Sequence, residues 1–172
     1  QIEKDRSVNM KKVLLIVMSM VLVLGMLSGC KPSTVSNDAN SKDADTIRVG
    51  LNYELTGGAA TYGQGLVDGI ELAIEEVNKE GILGKKIETV KADNKSEDTE
   101  AANVSSKLAT RDNVVVLLGP ATSGNTKAAT PAAMQNKIPL ISGSATEDGI
   151  TIDGNGNVRD YIFKTCFNDS FQ

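Results

Sequence analysis

Apolar residues in this chain fall into short runs separated by amphipathic stretches, and their spacing predicts strands alternating with helices. Ile47-Arg-Val-Gly-Leu51 reads as a strand. A glycine-rich turn through Thr56-Gly57-Gly58 leads into a helix whose apolar positions Leu66, Ile70, Ala73, Ile74 and Val77 predict one inward face, and Gly81 and Gly84 stop it. Lys86 to Ala92 predicts a second strand. Asp98 to Thr110 predicts a second helix, with Ala101, Ala102, Val104, Leu108 and Ala109 turned inward. The aliphatic run Val114 to Leu118 predicts a third strand buried on both faces. A helix over Asn125 to Asn136, with a kink expected at Pro131, precedes a strand at Pro139 to Ser142. After an Asp/Gly/Asn loop at 153 to 157, Tyr161 to Thr165 reads as a last strand. This order predicts an α/β fold: a parallel sheet with right-handed crossovers and helices on both faces.

The first 45 residues follow another pattern. Met10-Lys11-Lys12 opens a basic segment, Val13 to Met26 is almost wholly apolar, and Leu27-Ser28-Gly29-Cys30 closes it with small residues and a cysteine. The apolar run is shorter than the roughly 20 residues a spanning helix needs, and the layout is that of a secretory signal. Its ending resembles a bacterial lipobox, which makes Cys30 the acylated first residue of the mature protein; the alternative is a plain anchor helix with an incidental cysteine. Residues 1–9 then read as an upstream leader, 10–29 as a lipoprotein signal peptide and 30–45, rich in Ser, Asn, Asp and Lys, as a flexible tether. The expected location is the extracytoplasmic face of the cell membrane, held by lipid.

Composition narrows the chemistry. The 172 residues, 40% of them hydrophobic and 16 of them glycine, suffice for one α/β domain and fall short of two. Histidine is absent, which rules out a His-based triad, an imidazole base and His metal ligands. No metal and no cofactor is expected, and only carboxylate-based enzymes remain open. Leaving out Lys4, Arg6, Lys11, Lys12, Glu3 and Asp5 takes the net charge from −4 to −6, which argues against nucleic acid as a partner. Cys166 has no second cysteine to pair with once Cys30 is acylated, so no disulfide is expected.

In a parallel sheet, ligands sit outside the carboxyl ends of the strands. The loops there are 52–65, 119–126 and 142–148, all with Gly and hydroxyl side chains and none with lysine or arginine. The middle loop, Gly119-Pro-Ala-Thr-Ser-Gly124-Asn-Thr126, departs from the phosphate-loop pattern G-x-x-x-x-G-K-[ST] at Asn125, where the lysine belongs. Three readings stay open: a damaged phosphate loop, a loop for a single carboxylate held by hydroxyls, N–H groups and a helix dipole, or a plain helix start with Ser123 as its cap.

The stretches "LNYELTGGAATYGQGLVDGIELAIEEVNKEGILGKKIETVKADN", "VVVLLGPATSGNTKAATPAAMQNKIPLISGSAT" and "YIFKTCFNDSFQ" resemble the first lobe of the branched-chain amino acid (Leu/Ile/Val) binding proteins of ABC transporters, of type I periplasmic-binding fold. The resemblance runs from Ile47 to the last residue. It implies an extracytoplasmic, non-enzymatic receptor, a monomer, that closes two lobes on an amino acid and presents it to permease and ATPase subunits. Carried over by position, it implies that Ser123 meets the ligand α-carboxylate and Thr146 both carboxylate and ammonium. The backbone at Ser144 would contact the amino group, Tyr62 would line the side chain, and Ala145 would be a further ligand-binding residue. Read without the resemblance, Thr146 is a turn residue, Ser144 a strand-end hydroxyl and Tyr62 a rim aromatic. In that family the second lobe supplies the acidic partner of the ammonium. Residues 46–167 correspond to the first lobe and 168–172 to the start of the crossover, so the sequence reads as a fragment. A ligand-sensing receptor domain of the same fold, a binding protein for amides or urea, and an exported enzyme are the alternatives.

Overall fold

The computed structural model describes residues 46–172. The expected leader, signal peptide, Cys30 and tether lie outside the described residues.

Strand β1 (Thr46–Tyr53) takes parallel partners on both sides: β2 (Lys86–Asp93) along its whole length and β3 (Val116–Leu118) over Val49 to Leu51. Beyond β3 lie β4 (Leu140–Ser142) and β5 (Ile162–Lys164), both parallel, in the order β2-β1-β3-β4-β5. Parallel neighbours require crossovers, supplied from β1 to β4 by α1 (Ala60–Glu80), α2 (Asp98–Thr110) and α3 (Ser123–Asn136) and from β4 to β5 by the helix-free segment 143–161. The α/β parallel sheet predicted from the hydrophobic pattern is the observed fold.

Strand alternation divides the core in two. On one face of the sheet Val49, Leu51 and Tyr53 pack with Val67 of α1. On the other, Leu117, Leu140 and Ile162 pack with Val104 and Leu108 of α2 and with Ala129 and Ala133 of α3. Each fully buried leucine there stabilises the fold by about 1.5–3 kcal/mol. At Gly50 an added Cβ would lie 2.9 Å from Leu117 Cδ2, so a side chain would push into that second core.

Three details differ from the sequence expectation. The inward face of α1 is centred on Val67, with Leu66, Ile70 and Ile74 half-buried beside it, while Ala73 and Val77 are exposed. The covered stripe runs Val67, Ile70, Ile74 and Asn78, whose side-chain amide exchanges hydrogen bonds with the Ile87 backbone of β2 at 2.8 and 2.7 Å, and Ala73 and Val77 fall beside that stripe. The third strand is shorter than its aliphatic run and is fully buried on one face only: Leu117 is enclosed, Val116 and Leu118 are half-buried against the first core, and Val115 is exposed before the strand begins. Finally, α3 begins at Ser123, two residues before the expected start, and includes the exposed Pro131.

Candidate functional site

All five strands point the same way, so the loops leaving β1, β3 and β4 share one edge of the sheet. β1 is followed outward by β2 on one side and β3 on the other, and the loops after β1 and β3 enter helices on opposite faces. That divergence opens a crevice at the topological switch point. A pocket of about 280 Å³ lies there, lined by Tyr62, Ala121, Thr122, Ser123, Ser144 and Thr146. Four of the five predicted ligand contacts are therefore brought together. The fifth, Ala145, is fully buried in the core, and its N–H donates to Ser142 Oγ at 3.1 Å.

The loop after β3 is stitched to the end of β4 by serine hydroxyls. Ser142 Oγ donates to Pro120 O at 2.7 Å and Ser144 Oγ to Ala121 O at 2.7 Å. Ser123 Oγ accepts the N–H of Glu147 at 3.2 Å, which occupies a lone pair and leaves the hydroxyl proton available to a ligand. The backbone N–H groups of Ser123 and Thr146 make no hydrogen bond to another described residue. Two pocket-lining residues thus each carry an N–H group and a hydroxyl with no acceptor among the described residues, a donor set suited to a carboxylate. Helix α3 is capped by Thr122, whose Oγ1 accepts from Asn125 N at 3.4 Å, so Ser123 is not its cap.

Three neighbours escaped the sequence reading. Glu54, the first residue after β1, is fully buried and accepts from Ala121 N (2.9 Å), Thr122 N (3.1 Å), Thr122 Oγ1 (2.9 Å) and Asn125 Nδ2 (2.8 Å). Thr122 lines the pocket through that loop. Lys164 of β5 sets its ammonium 3.3 Å from each of the carbonyls of Ala145, Thr146 and Glu147, holding the 145–147 segment from below. The only sequence signal for Glu54 was a carboxylate directly after an apolar strand, opposite a loop rich in N–H groups and lacking a cation. Lys127, two positions beyond the phosphate-loop lysine slot, pairs with Glu147.

The electrostatics of the rim are set by hydrogen bonds. Burial raises the pKa of Asp93, but donation from the Thr56 hydroxyl and from the N–H groups of Lys95, Leu55 and Thr56 outweighs it and holds the carboxyl below its usual value. That cluster pins the loop between β1 and α1. Burial, with the nearby Glu54 charge, pushes the Tyr53 phenol up to about 12. Among the described residues no group of three His, Cys, Asp or Glu side chains could hold a metal ion.

A profile describing periplasmic binding proteins matches residues 46–171. The chain is 48% identical to the branched-chain amino acid transporter substrate binding protein LivJ from Streptococcus pneumoniae, solved in complex with isoleucine, with a TM-score of 0.69 over 74% of this chain and 35% of that one. It is 34% identical over 148 residues to Leu/Ile/Val-binding protein homolog 1 of Brucella abortus, covering 86% of this chain and 38% of the relative. It is 32% identical to an ABC transporter solute binding protein from Rhodopseudomonas palustris in complex with 3,4-dihydroxybenzoic acid, with a TM-score of 0.64 over 72% of this chain and 32% of that one. The chain spans between 32% and 38% of the length of these three proteins.

Proposed function

The chain belongs to the periplasmic binding protein family, and on that footing we propose that residues 46–167 form the first ligand-binding lobe of an extracytoplasmic solute-binding lipoprotein. It captures an amino acid with a branched aliphatic side chain and delivers it to an ABC permease, without catalysing a reaction. Cys30 carries the lipid, and residues 30–45 tether the lobe to the membrane.

The observation that carries this reading is the convergence of Tyr62, Ser123, Ser144 and Thr146 on one pocket at the switch point. Ser123 and Thr146 donate to the ligand carboxylate from two adjacent strand ends. The carbonyl of Ser144 and the Thr146 hydroxyl accept from the ammonium, and Tyr62, 73% exposed, covers the aliphatic side chain when the ligand arrives. Branched-chain ligands are named for the Streptococcus and Brucella proteins.

A second reading, an aromatic carboxylic acid as ligand, is favoured by the Rhodopseudomonas complex. The two readings share the carboxylate contacts and differ in the ammonium. Titration calorimetry of the complete gene product with leucine, isoleucine, valine, leucinamide and 3,4-dihydroxybenzoate separates them. The proposed function predicts saturable binding of the three amino acids and loss of binding for leucinamide, which lacks the carboxylate. Binding of the benzoate alone would replace it.

A further inference from the structure

Glu54 is the only carboxylate in the buried set among the described residues. Its four donors come from the loop after β3, and they are the groups that a phosphate loop aims at its ligand: consecutive backbone N–H groups, a hydroxyl at the helix start, and the side chain at the lysine position. The anion seat of that loop is therefore filled from inside the protein.

The orientation of the Asn125 amide follows from its neighbours. Asn52 Nδ2 donates to Ala101 O (2.9 Å) and Ser105 Oγ (2.8 Å), and a carbonyl can only accept. That leaves Asn52 Oδ1 to accept from Asn94 Nδ2 at 3.0 Å, and Asn94 Oδ1 to accept from Ser96 N (3.0 Å) and Asn125 Nδ2 (3.2 Å). Asn125 must then turn its NH2 toward Glu54. Three amides in series are anchored at one end by a backbone acceptor and at the other by a buried carboxylate. Helix α1 closes over the same point: a Cβ on Gly63 would lie 2.1 Å from Glu54 O.

Two consequences reach the pocket. Thr122 spends its hydroxyl proton on Glu54, so it cannot donate to a ligand, and the next residue, Ser123, is left as the donor at the mouth. The N–H groups of Ala121 and Thr122 are likewise committed to Glu54, so a phosphate or a second carboxylate in the pocket finds none of the donors that a phosphate loop would offer it.

We propose that Glu54 is the positioning and specificity-determining residue of this pocket. It fills the anion seat of the 119–126 loop, holds Thr122 so that Ser123 faces the ligand, and restricts the pocket to ligands bearing a single carboxylate, excluding phosphates and dicarboxylates. The proposal rests on the carboxylate reading of the pocket.

The test is leucine titration of the complete gene product and of its Glu54→Ala and Glu54→Gln variants, each with sodium formate or with sodium chloride at equal ionic strength. Truncation to alanine empties the seat, so leucine affinity falls by about tenfold or more, the worth of one misplaced charge-assisted hydrogen bond. Formate, a small carboxylate that refits the seat, restores it where chloride does not. Glutamine keeps the volume but turns an NH2 toward groups that are themselves donors, so affinity falls without rescue by formate. If the alanine variant does not fold, the glutamine variant carries the test. Variants that melt at lower temperature yet bind leucine as the parent does would reduce Glu54 to a structural role and overturn the proposal alone. A parent that binds no monocarboxylate would overturn the pocket reading and this proposal with it.

Discussion

Asn125 donates to Glu54 at 2.8 Å with both side chains buried, and the two residues lie far apart in sequence, one in the first turn of α3 and the other just past the end of β1. A lysine at position 125 would restore the phosphate-loop spelling, but its ammonium would meet Glu54 rather than a ligand. Neither the parent nor Asn125→Lys is expected to bind Mg-ATP in calorimetry. In Asn125→Ala, Glu54 keeps the three donors of Ala121 and Thr122 and loses the fourth. The expected loss is about 1.5–3 kcal/mol of stability, read from urea unfolding.

Gly63 tests how closely α1 seats on the loop after β1. Its missing Cβ would lie 2.1 Å from Glu54 O, a backbone atom that cannot swing aside. Gly63→Ala should destabilise by about 1–3 kcal/mol through overpacking, despite the better helix propensity of alanine. Gly65, where a Cβ would meet nothing within 4 Å, is the control, and Gly65→Ala should be neutral or stabilising in the same thermal melt.

Tyr53 sets an alkaline limit. Burial raises its phenol from 10.0 to about 12, so the neutral form is favoured in the folded state. The contribution to stability is whole below pH 10 and is lost as pH rises toward 12, because the unfolded chain ionises first. Tyr53→Phe should flatten that alkaline limb. A phenolate absorbance titration should place one of the three tyrosines at about 12.

The membrane anchor is read from sequence alone. Cells expressing the complete gene should incorporate labelled palmitate into the protein and retain it in the membrane fraction. Cys30→Ser should abolish both, since stable anchoring needs the acyl chains. Soluble secretion of the unmodified parent would contradict the lipobox reading.

Much of the fold could be read from residue patterns because its signals were local. Helix α2 begins and ends where expected, at Asp98 and Thr110, since acidic residues open its first turn and polar residues follow its last. The face of α1 was misplaced because Ala73 and Val77 keep a helical spacing with Leu66 and Ile70 but lie beside the covered stripe, which continues through Ile74 to the polar Asn78, bonded to Ile87 of β2. Ser123, Ser144, Thr146 and Tyr62 were found by position in a family pattern, and they share a pocket. Glu54 was not found, because its donors lie 67 to 71 residues downstream and a carboxylate directly after an apolar strand signals burial only once that loop is placed opposite it. The capping role suggested for Ser123 went to its neighbour Thr122, and two adjacent hydroxyls at a helix start are indistinguishable until the turn geometry is known.

The most direct test of the carboxylate pocket is calorimetric titration of the complete gene product and its Ser123→Ala and Thr146→Ala variants with leucine. Each hydroxyl donating to a charged carboxylate is worth about 1.5–3 kcal/mol. At about 1.4 kcal/mol per tenfold, each variant should bind leucine roughly 10- to 150-fold more weakly. The unliganded melting temperature should stay close to that of the parent, since Thr122 and not Ser123 caps α3. Leucine affinity unchanged in both variants would contradict the account.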